Sequence, residues 1–568
     1  MIEMAKPAKK KMMSTNKKGI VVLSFFLFCL LYPLSTIHFP LVFAELGELD
    51  DATGPTAPDE IPSKKAPTTP DAIAAGKKLY ERRCMPCHGE HGDGNGPAAD
   101  VMDPRPRDFT RGLFKIRTTA HNELPTDEDL YRTISRGIPG TGMPSWKRLL
   151  SEDERLDVIA YVKTFSDKFK DAPPPKMIPI GAEPPSSPEL IKKGKELFTG
   201  KAACFTCHGM EGRGNGVLAP AMMDVWSNPI YPRNLTKSWL YKGGNDTKDI
   251  FLRISGSFNG TFMPSFLESL SEEERWSIAQ YVKSLQRPKP EGSQVVIGSR
   301  KVKGEIPVDP ASPVWQGVES TDVLMSGQVH VPPRNQSPTV DVVRVQSVYN
   351  DKEIAFRMTW DDRTENRVNE ENDRTKQMET PIFTETYPVL YPPSVRLKVL
   401  RDSLALQFPV KPPQGPEKPH FFLGDAGKPV NLWQWKADGD VVEELNARGY
   451  KTPAARQPDP SQQATGKGVF TDGVWRVVIK RPLTTADAAN DVQFAPGGPL
   501  IPVAVHVWDG ANGETGLRRT ISSWYFVVLK TDVPAGVYAS SVVAVVLAAG
   551  VEWWLIKRTR RHTERKGS

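Results

Sequence analysis

Two short segments of this chain repeat one arrangement of cysteine and histidine. They read CMPCH at residues 84–88 and CFTCH at residues 204–208. The chain has only five cysteines, and the fifth, Cys29, lies in an apolar run near the N-terminus. Two such pentapeptides in so cysteine-poor a chain are far beyond chance. Paired cysteines can also form disulfides, but the histidine after each second cysteine favours Cys-x-x-Cys-His as a haem c attachment signal.

This order of residues matches the chemistry of covalent haem. The two thiols of each motif add to the two vinyl groups of the porphyrin, and the following imidazole binds the iron from one side. The sequence therefore predicts two covalent haems c. The attachment residues are Cys84, Cys87, Cys204 and Cys207, and the first axial ligands are His88 and His208.

A second axial ligand is predicted from the register of the repeat. Met143 in GTGMPSW and Met263 in GTFMPSF each lie 55 residues after the histidine of their motif. A buried methionine is usually a core filler, but two Met-Pro-Ser loops at equal distance favour ligation. Thioether ligation raises the reduction potential and leaves no open position on the iron. This combination is typical of an electron carrier.

Each copy also has predicted helices at the same two places, before the motif and after the methionine loop. Residues 74–83 and 191–200 read as amphipathic helices before the motifs, and residues 151–165 and 271–285 as closing helices that begin with a Ser-x-x-Glu capping box. Helix, CxxCH, long loop, methionine and closing helix together resemble class I cytochrome c. The resemblance implies two all-α domains at 68–168 and 187–287, joined by a proline-rich, semi-rigid linker at 169–186.

Four loop arginines have two possible roles. They can pair with haem propionates or simply be solvated, and they are Arg105, Arg107, Arg117 and Arg233. His91 and His121 are expected to be bystanders because the ligand positions are already filled.

The charges of the chain lie at its ends. Residues 1–18 contain six lysines and one glutamate, and residues 557–568 contain six Lys or Arg and one glutamate, whereas the net charge of the whole chain is +7. The body between them is therefore slightly acidic, which argues against nucleic-acid binding. Basic residues beside apolar runs instead set membrane topology.

The two ends read as membrane signals. Residues 1–44 fit a signal peptide or N-terminal membrane segment, followed by a flexible linker at 45–67. Residues 534–556 are long and apolar enough for a transmembrane helix, and the basic tail at 557–568 is expected in the cytoplasm. A soluble helix is the alternative for 534–556. We expect residues 45–532 to face the periplasm.

The pattern of apolar residues changes from helical to strand-like after the second repeat. Segments rich in β-branched and aromatic residues alternate with long loops rich in proline and glycine, and they predict strands at 340–350, 353–362, 403–410, 474–481, 500–510 and 520–530. An antiparallel β-sandwich over 290–530 is the expected fold. The fold class is thus multidomain: two all-α cytochrome c domains, a β-sandwich and a C-terminal transmembrane helix.

Several segments of this third domain resemble a known family. AFRMTWDD, LALQFPV, FFLGDAGKPVNLWQWK, DGVWRVVIKR and VHVWDGANGETGLRRTISSW are similar, in this order, to the haem b (gamma) subunit of ethylbenzene dehydrogenase and other type II DMSO-reductase-family molybdoenzymes. The resemblance implies one haem b held between methionine and lysine. The matching positions here are Leu423 and Arg518 or Arg519, which cannot ligate iron.

This departure leaves three outcomes open. The alignment can be slightly out of register, the domain can have lost its haem b, or other residues can be the ligands. The nearest candidates for such ligands are His506 and His420, and Met358 or Met325 lie further off.

The resemblance implies an electron-transfer subunit, not an enzyme by itself, in a respiratory complex of the nitrite/nitrate oxidoreductase kind. Its partners would be a molybdenum-cofactor catalytic subunit, an iron–sulfur subunit, and a soluble cytochrome or quinol chain. Two alternatives remain at this point. One is a dihaem oxidoreductase with its own active site, of the peroxidase or thiosulfate dehydrogenase type. The other is a ligand-binding β-sandwich that uses Trp433 and Trp435 and is coupled to a cytochrome.

Overall fold

The computed structural model describes residues 61–531, with gaps at 220–221, 223, 227–229, 333, 336–337, 368–399 and 414–416, and residues 535–564. The predicted signal segment at 1–44 and most of the linker at 45–67 lie outside the described residues. The described chain up to Lys530 forms one compact unit. The C-terminal helix belongs to another unit and is considered by itself.

The two haem-motif repeats fold as small helical domains. The first contains α1 (Pro70–Arg83), α2 (Met85–His88), α3 (Asp127–Arg136) and α4 (Glu152–Lys163), and the second contains α5 (Pro188–Thr199), α6 (Phe205–His208), α7 (Thr247–Gly256) and α8 (Glu272–Ser284). Both closing helices, α4 and α8, begin with the predicted capping boxes, at Ser151 and Ser271. In each box the serine side chain accepts from the backbone N–H of a glutamate three residues on, and that glutamate accepts from the serine N–H.

The first and last helices of each domain cross at a glycine. A Cβ atom at Gly76 would lie 2.0 Å from the Asp157 carbonyl oxygen, and one at Gly194 would lie 2.0 Å from the Ser277 carbonyl oxygen. Only glycine therefore allows the backbones to approach this closely. The crossing packs the helix that precedes each motif against the closing helix.

The C-terminal part of the compact unit is built from strands. In chain order they are β1 (Met102–Asp103), which belongs to the first helical domain, β2 (Val296–Lys301), β3 (Ser320–Leu324), β4 (Arg334–Asn335), β5 (Val342–Tyr349), β6 (Glu353–Asp361), β7 (Ser403–Pro409), β8 (Val430–Lys436), β9 (Val441–Ala447), β10 (Ala455–Arg456), β11 (Thr465–Thr471), β12 (Val474–Pro482), β13 (Ile501–Trp508), β14 (Thr520–Ile521) and β15 (Tyr525–Leu529). Neighbours in the sheet follow the order β10-β9-β8-β7-β13-β15-β2-β5-β6-β12-β11, with β3 on β5 and β14 on β13.

The two halves of this sheet face each other across a buried aromatic core. Phe356 on β6 lies 5.9 Å from Phe408 on β7 and 6.1 Å from Trp433 on β8, measured between ring centroids. Strand β13 pairs with β15 through its first residues and with β7 through its last, so it joins the two halves. The predicted strands are present, but the sheet is not wholly antiparallel, because β2 pairs in parallel with both β15 and β5.

The proline-rich linker is not a free spacer. Ala120 donates its backbone N–H to the Lys176 carbonyl at 2.8 Å, and Ile178 donates to the Thr118 carbonyl at 3.1 Å. The Ile178 side chain is 4% exposed and belongs to the core of the second domain. The linker therefore packs against the first domain while it anchors itself in the second.

The C-terminal helix α9 covers Ala535–Glu564. The predicted span at 534–556 lies partly outside the described residues. Within the part of the chain that the structure describes, none of the helices combines the length and the apolar character needed to cross a membrane.

Candidate haem-binding sites

The two Cys-x-x-Cys-His motifs form the same helical turn. The backbone N–H of His88 donates to the Cys84 carbonyl at 2.9 Å, and that of His208 donates to the Cys204 carbonyl at 2.9 Å. No disulfide joins the four cysteines of these motifs. The turn places both thiols and the imidazole on one short stretch of backbone, as attachment of a porphyrin requires.

Each motif histidine is held in one orientation by a backbone carbonyl. Nδ1 of His88 lies 3.0 Å from the Arg107 carbonyl oxygen, and Nδ1 of His208 lies 3.0 Å from the Arg233 carbonyl oxygen. Burial lowers the pKa of both imidazoles, so they are neutral at neutral pH. A neutral ring that donates from Nδ1 keeps Nε2 free for a metal, which is the arrangement of a ligating histidine.

The methionine loops are fixed by matching hydrogen bonds. The N–H of Met143 donates to Thr141 Oγ1 at 3.1 Å, and the N–H of Met263 donates to Thr261 Oγ1 at 3.3 Å. The serine two residues after each methionine donates its hydroxyl to α3 or α7, with Ser265 Oγ 2.5 Å from the Ser255 carbonyl oxygen. The two loops are therefore equivalent in structure as well as in register.

The second domain contains a large cavity between its two predicted ligands. The cavity has a volume of about 1060 Å³, and its wall includes Cys204, Cys207, His208 and Met263. The aliphatic side chains of Ile254, Ile278 and Val282 line it as well. The predicted attachment residues, both predicted iron ligands and an apolar lining thus meet around one space, which fits a haem c.

This cavity continues to the neighbouring domains, where its wall becomes cationic. Arg107 and Lys115 come from the first domain, and Arg233 and Lys242 come from the second. Burial, together with repulsion from the other three, lowers the pKa of Lys242 well below its ordinary value. Within the described residues none of the four side chains forms an ion pair with a carboxylate. Haem propionates are carboxylates, so this cluster fits them.

Trp226 of the second domain joins the two cytochrome domains. Its indole N–H donates to Asp108 Oδ2 at 2.9 Å, and the guanidinium of Arg107 lies 4.3 Å from its ring centroid. Arg117, which the sequence left open as a propionate partner, has another role. It is 1% exposed and donates to the Gly256 carbonyl at the end of α7.

The second domain is also joined to the β-domain by charge. Asp361 at the end of β6 lies within ion-pair distance of three cations: Arg213 at 2.6 Å, Arg287 at 2.5 Å and Lys237 at 3.4 Å. Lys237 is in addition 2.5 Å from Asp341 Oδ1. Sequence reasoning missed this interface, because nothing local distinguishes these residues from ordinary surface charges.

Among the predicted residues of the β-domain, His506 stands out. It lies on β13, it is completely buried, and neither of its ring nitrogens has a hydrogen-bond partner in the described part of the chain. Its centroid is 6.3 Å from that of Trp508, and the Arg519 guanidinium lies 4.7 Å from the Trp508 ring and 5.1 Å from the Phe422 ring. The two segments matched to the family's ligand positions, 422–423 and 518–519, therefore meet beside His506.

The surroundings of His506 include more unsatisfied polar groups. Among the described residues, two nitrogens each of Arg518 and Arg519 are buried without hydrogen-bond partners, and so is Nδ1 of His330, whose ring stacks on Phe422 at 4.4 Å. His330 was not predicted as a candidate. Leu423 has a left-handed backbone (φ 66°), which is unusual for a leucine and is found mainly at functional turns.

The other candidates are placed elsewhere. Met358 and Met325 belong to the core between the two sheet halves, which also contains Val505 and Val507. Because side chains alternate along a strand, His506 points to the opposite face of β13, so Met358 and His506 do not share a site. His420 is exposed and accepts from the Phe422 N–H through Nδ1. Trp433 and Trp435 are fully buried, so they offer no surface platform for a carbohydrate.

Comparisons with known proteins agree with the division of the chain into two cytochrome domains and a β-domain. A cytochrome c family model matches residues 73–166 and 191–286, and an ethylbenzene dehydrogenase family model matches residues 312–471. The gamma subunit of chlorate reductase from Ideonella dechloratans is 27% identical over 237 residues, 41% of this chain and 84% of the relative.

Two further relatives are of similar likeness. The gamma subunit of dimethylsulfide dehydrogenase from Rhodovulum sulfidophilum is 29% identical over 238 residues, 40% of this chain and 77% of the relative. A Haloferax mediterranei protein, provisionally named as the haem subunit of a respiratory nitrate reductase, is 28% identical over 219 residues, 39% of this chain and 67% of the relative.

Fold and site together define a c-type cytochrome of the electron-transfer class, not a catalytic subunit. The chain joins two cytochrome c domains to an ethylbenzene dehydrogenase-type domain related to the gamma subunits of molybdoenzymes, as the sequence predicted.

Proposed function

We propose that this chain is the electron-transfer subunit of a respiratory oxidoreductase complex. The family resemblance implies that its partners would be a molybdenum-containing catalytic subunit and an iron–sulfur subunit. The observation that carries the proposal is the position of the second cytochrome domain. It contacts the first domain through Trp226 and the β-domain through Asp361, so all three domains surround one cavity.

The residues of each cytochrome domain have defined roles in this proposal. Cys84, Cys87, Cys204 and Cys207 would hold the porphyrins, and His88, Met143, His208 and Met263 would bind the irons. When bound, a haem supplies a one-electron iron couple. Two protein ligands on each iron would keep substrate away from the metal, and this favours electron transfer over catalysis.

The cationic wall between the domains gives the cavity its electrostatic role. Arg107, Lys115, Arg233 and Lys242 would neutralise propionates and raise the reduction potential by disfavouring the oxidised, more positive iron. Because these cations come from two domains, they also keep the two domains in a fixed relation when the carboxylates are bound.

The β-domain is proposed to hold one haem b on the face that carries His506. A buried imidazole with two unpartnered nitrogens suits a metal ligand, and unpartnered arginines suit propionates. Arg518 lines the cavity of the second cytochrome domain, while Arg519 contacts Trp508 beside His506. Arg518 and Arg519 are adjacent in one loop, so this loop connects the cavity of the second cytochrome domain with the site around His506.

We further propose that α9 anchors the chain in a membrane, with the body in the periplasm, and that a soluble cytochrome or the quinol chain exchanges electrons with it. Described aliphatic side chains of α9 are exposed, with Val545, Val546 and Leu547 at 62–64%. Lys557 and Arg558 stack on Trp553 and Trp554 at its basic end. An exposed apolar surface of this kind needs a lipid or protein partner.

The test is a pyridine haemochrome assay on the purified chain, with c-type and b-type haem counted separately. We expect two c-type haems and one b-type haem. The variant His506→Ala should lose the b-type haem alone, while His420→Ala, the exposed control, keeps it. A molybdenum-containing partner should copurify in mild detergent. Absence of c-type haem from a host that matures cytochromes would overturn the proposed function.

A further inference from the structure

Three buried aspartates converge at one end of the β-domain. Asp362 directly follows β6, Asp402 directly precedes β7 and Asp509 directly follows β13. Strands β7 and β13 are neighbours with Ser403 opposite Trp508, and this register places Asp402 beside Asp509. Each of the three residues is at most 2% exposed, and each contributes a carboxylate oxygen to a group whose atoms all lie within 4.8 Å of one another.

The partners of these carboxylates are almost all neutral. They are the N–H groups of Thr364, Asn366, Gly510 and Ala511, the indole N–H of Trp475 and the amide of Asn512. The nearest cation is Arg363, whose Nη2 atom is 3.7 Å from Asp509 Oδ2. Glu514, which is 3% exposed, accepts from the Asp509 N–H and adds a fourth buried acid.

One oxygen of the group has no hydrogen-bond partner among the residues that the structure describes. Oδ2 of Asp362 is buried and accepts no hydrogen bond, although Oδ1 of the same carboxylate accepts from Thr364. A buried carboxylate oxygen without a donor is rare in proteins because the desolvation of its charge is not compensated. Because this oxygen belongs to a cluster with two other acids, a bound cation would compensate the buried negative charge.

We propose that Asp362, Asp402 and Asp509 bind a Ca²⁺ ion. The donor set consists of oxygen alone, which suits a hard cation and not Zn²⁺, whose sites use histidine and cysteine. Mg²⁺ usually keeps several waters and takes one or two carboxylates, whereas Ca²⁺ accepts a site made largely of protein oxygens. Three buried carboxylates from the ends of three separate strands match the protein-oxygen site that Ca²⁺ accepts.

The position of this site gives the ion a structural role. It would join the end of β6, in one half of the sheet, to β7 and β13 in the other half. Asp361, the residue before Asp362, carries the ion pairs to the second cytochrome domain, and Asp362 itself lines the cavity of that domain. The ion would therefore fix the strand end on which the cytochrome is docked.

The experiment uses the purified full chain with its haems attached. The chain is treated with EDTA, dialysed and titrated with CaCl₂, and bound calcium and thermal unfolding are measured. We expect one Ca²⁺ per chain and a higher unfolding temperature with Ca²⁺ than with EDTA. Asp362→Asn retains the shape of the side chain and should weaken Ca²⁺ binding about tenfold or more.

Asp491→Asn is the matched control. Asp491 is also a fully buried aspartate, but it has its own cation, Arg481, at 3.8 Å. This variant should unfold at a lower temperature and yet keep the wild-type response to Ca²⁺. If the wild type binds no Ca²⁺ and EDTA leaves its unfolding unchanged, the carboxylates are neutralised by protons and the proposal is wrong. Undiminished Ca²⁺ binding by Asp362→Asn would also overturn it.

Discussion

The Nη1 atom of Arg213 lies 2.6 Å from Oδ1 of Asp361, and this ion pair joins the second cytochrome domain to the β-domain. Lys237 and Arg287 reach the other oxygen of the same carboxylate. Three cations thus share one carboxylate at an interface where the Asp361 side chain is only 11% exposed. The docking of the cytochrome depends on this residue more than on any single cation around it.

Replacement of Asp361 by Asn should loosen this interface. The variant leaves three cations close together without their carboxylate, and we expect a loss of about 2 kcal/mol in the free energy of unfolding. That is below the range for fully buried pairs because Arg213 and Arg287 are partly exposed. Guanidinium unfolding measures the effect. Asp322→Asn, which removes an exposed pair with Arg344, should cost at most about 1 kcal/mol. Equal losses of unfolding free energy in the two variants would contradict the role of Asp361 in holding this interface.

The same carboxylate should make the interface sensitive to acid. Burial by itself would raise the pKa of Asp361, but Lys237, Arg287 and Arg213 hold the pKa below its ordinary value. Its contribution to stability is therefore present above the unfolded-state pKa of about 3.9 and is lost as the pH falls through the folded-state pKa. We expect the stability difference between the wild type and Asp361→Asn to be constant near neutral pH and to shrink below about pH 4. Unfolding curves across this range would measure it, and a difference that grew in acid would refute it.

The contact between Trp226 and Asp108 should stabilise the pair of cytochrome domains. A double-mutant cycle with Trp226→Phe and Asp108→Asn is expected to give a coupling energy of about 1–2 kcal/mol, since a hydrogen bond to a charged group is lost. The measurement is chemical unfolding of the four proteins. Additive effects within error would show that the indole N–H contributes nothing across this boundary.

Replacement of the predicted methionine ligands, Met143 and Met263, should change the reduction potentials of the two haems separately. Met143→His and Met263→His keep an axial ligand but remove the thioether, so each should lower the potential of one haem by more than about 59 mV, a tenfold change for one electron. Potentiometric titration followed by absorbance measures both. Met210→Leu, an exposed methionine of the second domain, is the control and should change neither potential. A ligand variant that left both potentials unchanged would exclude that methionine as a ligand.

The cationic wall offers a further electrochemical test. Arg233→Gln removes a positive charge from the cavity, because burial lowers the pKa of Arg233 only to about 10 and leaves it charged at neutral pH. It should lower a haem potential by tens of millivolts, with little dependence on salt because the site is buried. Lys193→Gln, at an exposed pair with Glu273, is the control. An equal shift in both variants would show that only the net charge of the domain matters.

The sequence by itself determined what is local in this protein. The attachment motifs, the equal spacing to the methionines and the capping boxes at Ser151 and Ser271 all lie within short stretches of chain. Their geometry follows from covalent connection and helical period, so they could be read directly. Six strand segments of the β-domain were predicted from residue type for the same reason, whereas β2, β3, β8, β9 and β11 were not predicted.

Only the tertiary structure decided which distant residues meet. It turned Arg117 from a candidate propionate partner into a clamp on the end of α7, and it buried Ile178 of the linker in the second domain. It placed His506 and Met358 on opposite faces of a sheet and gathered three aspartates from separate strand ends. Such contacts depend on packing between segments far apart in the chain, and the residues involved carry no local signal of their partners.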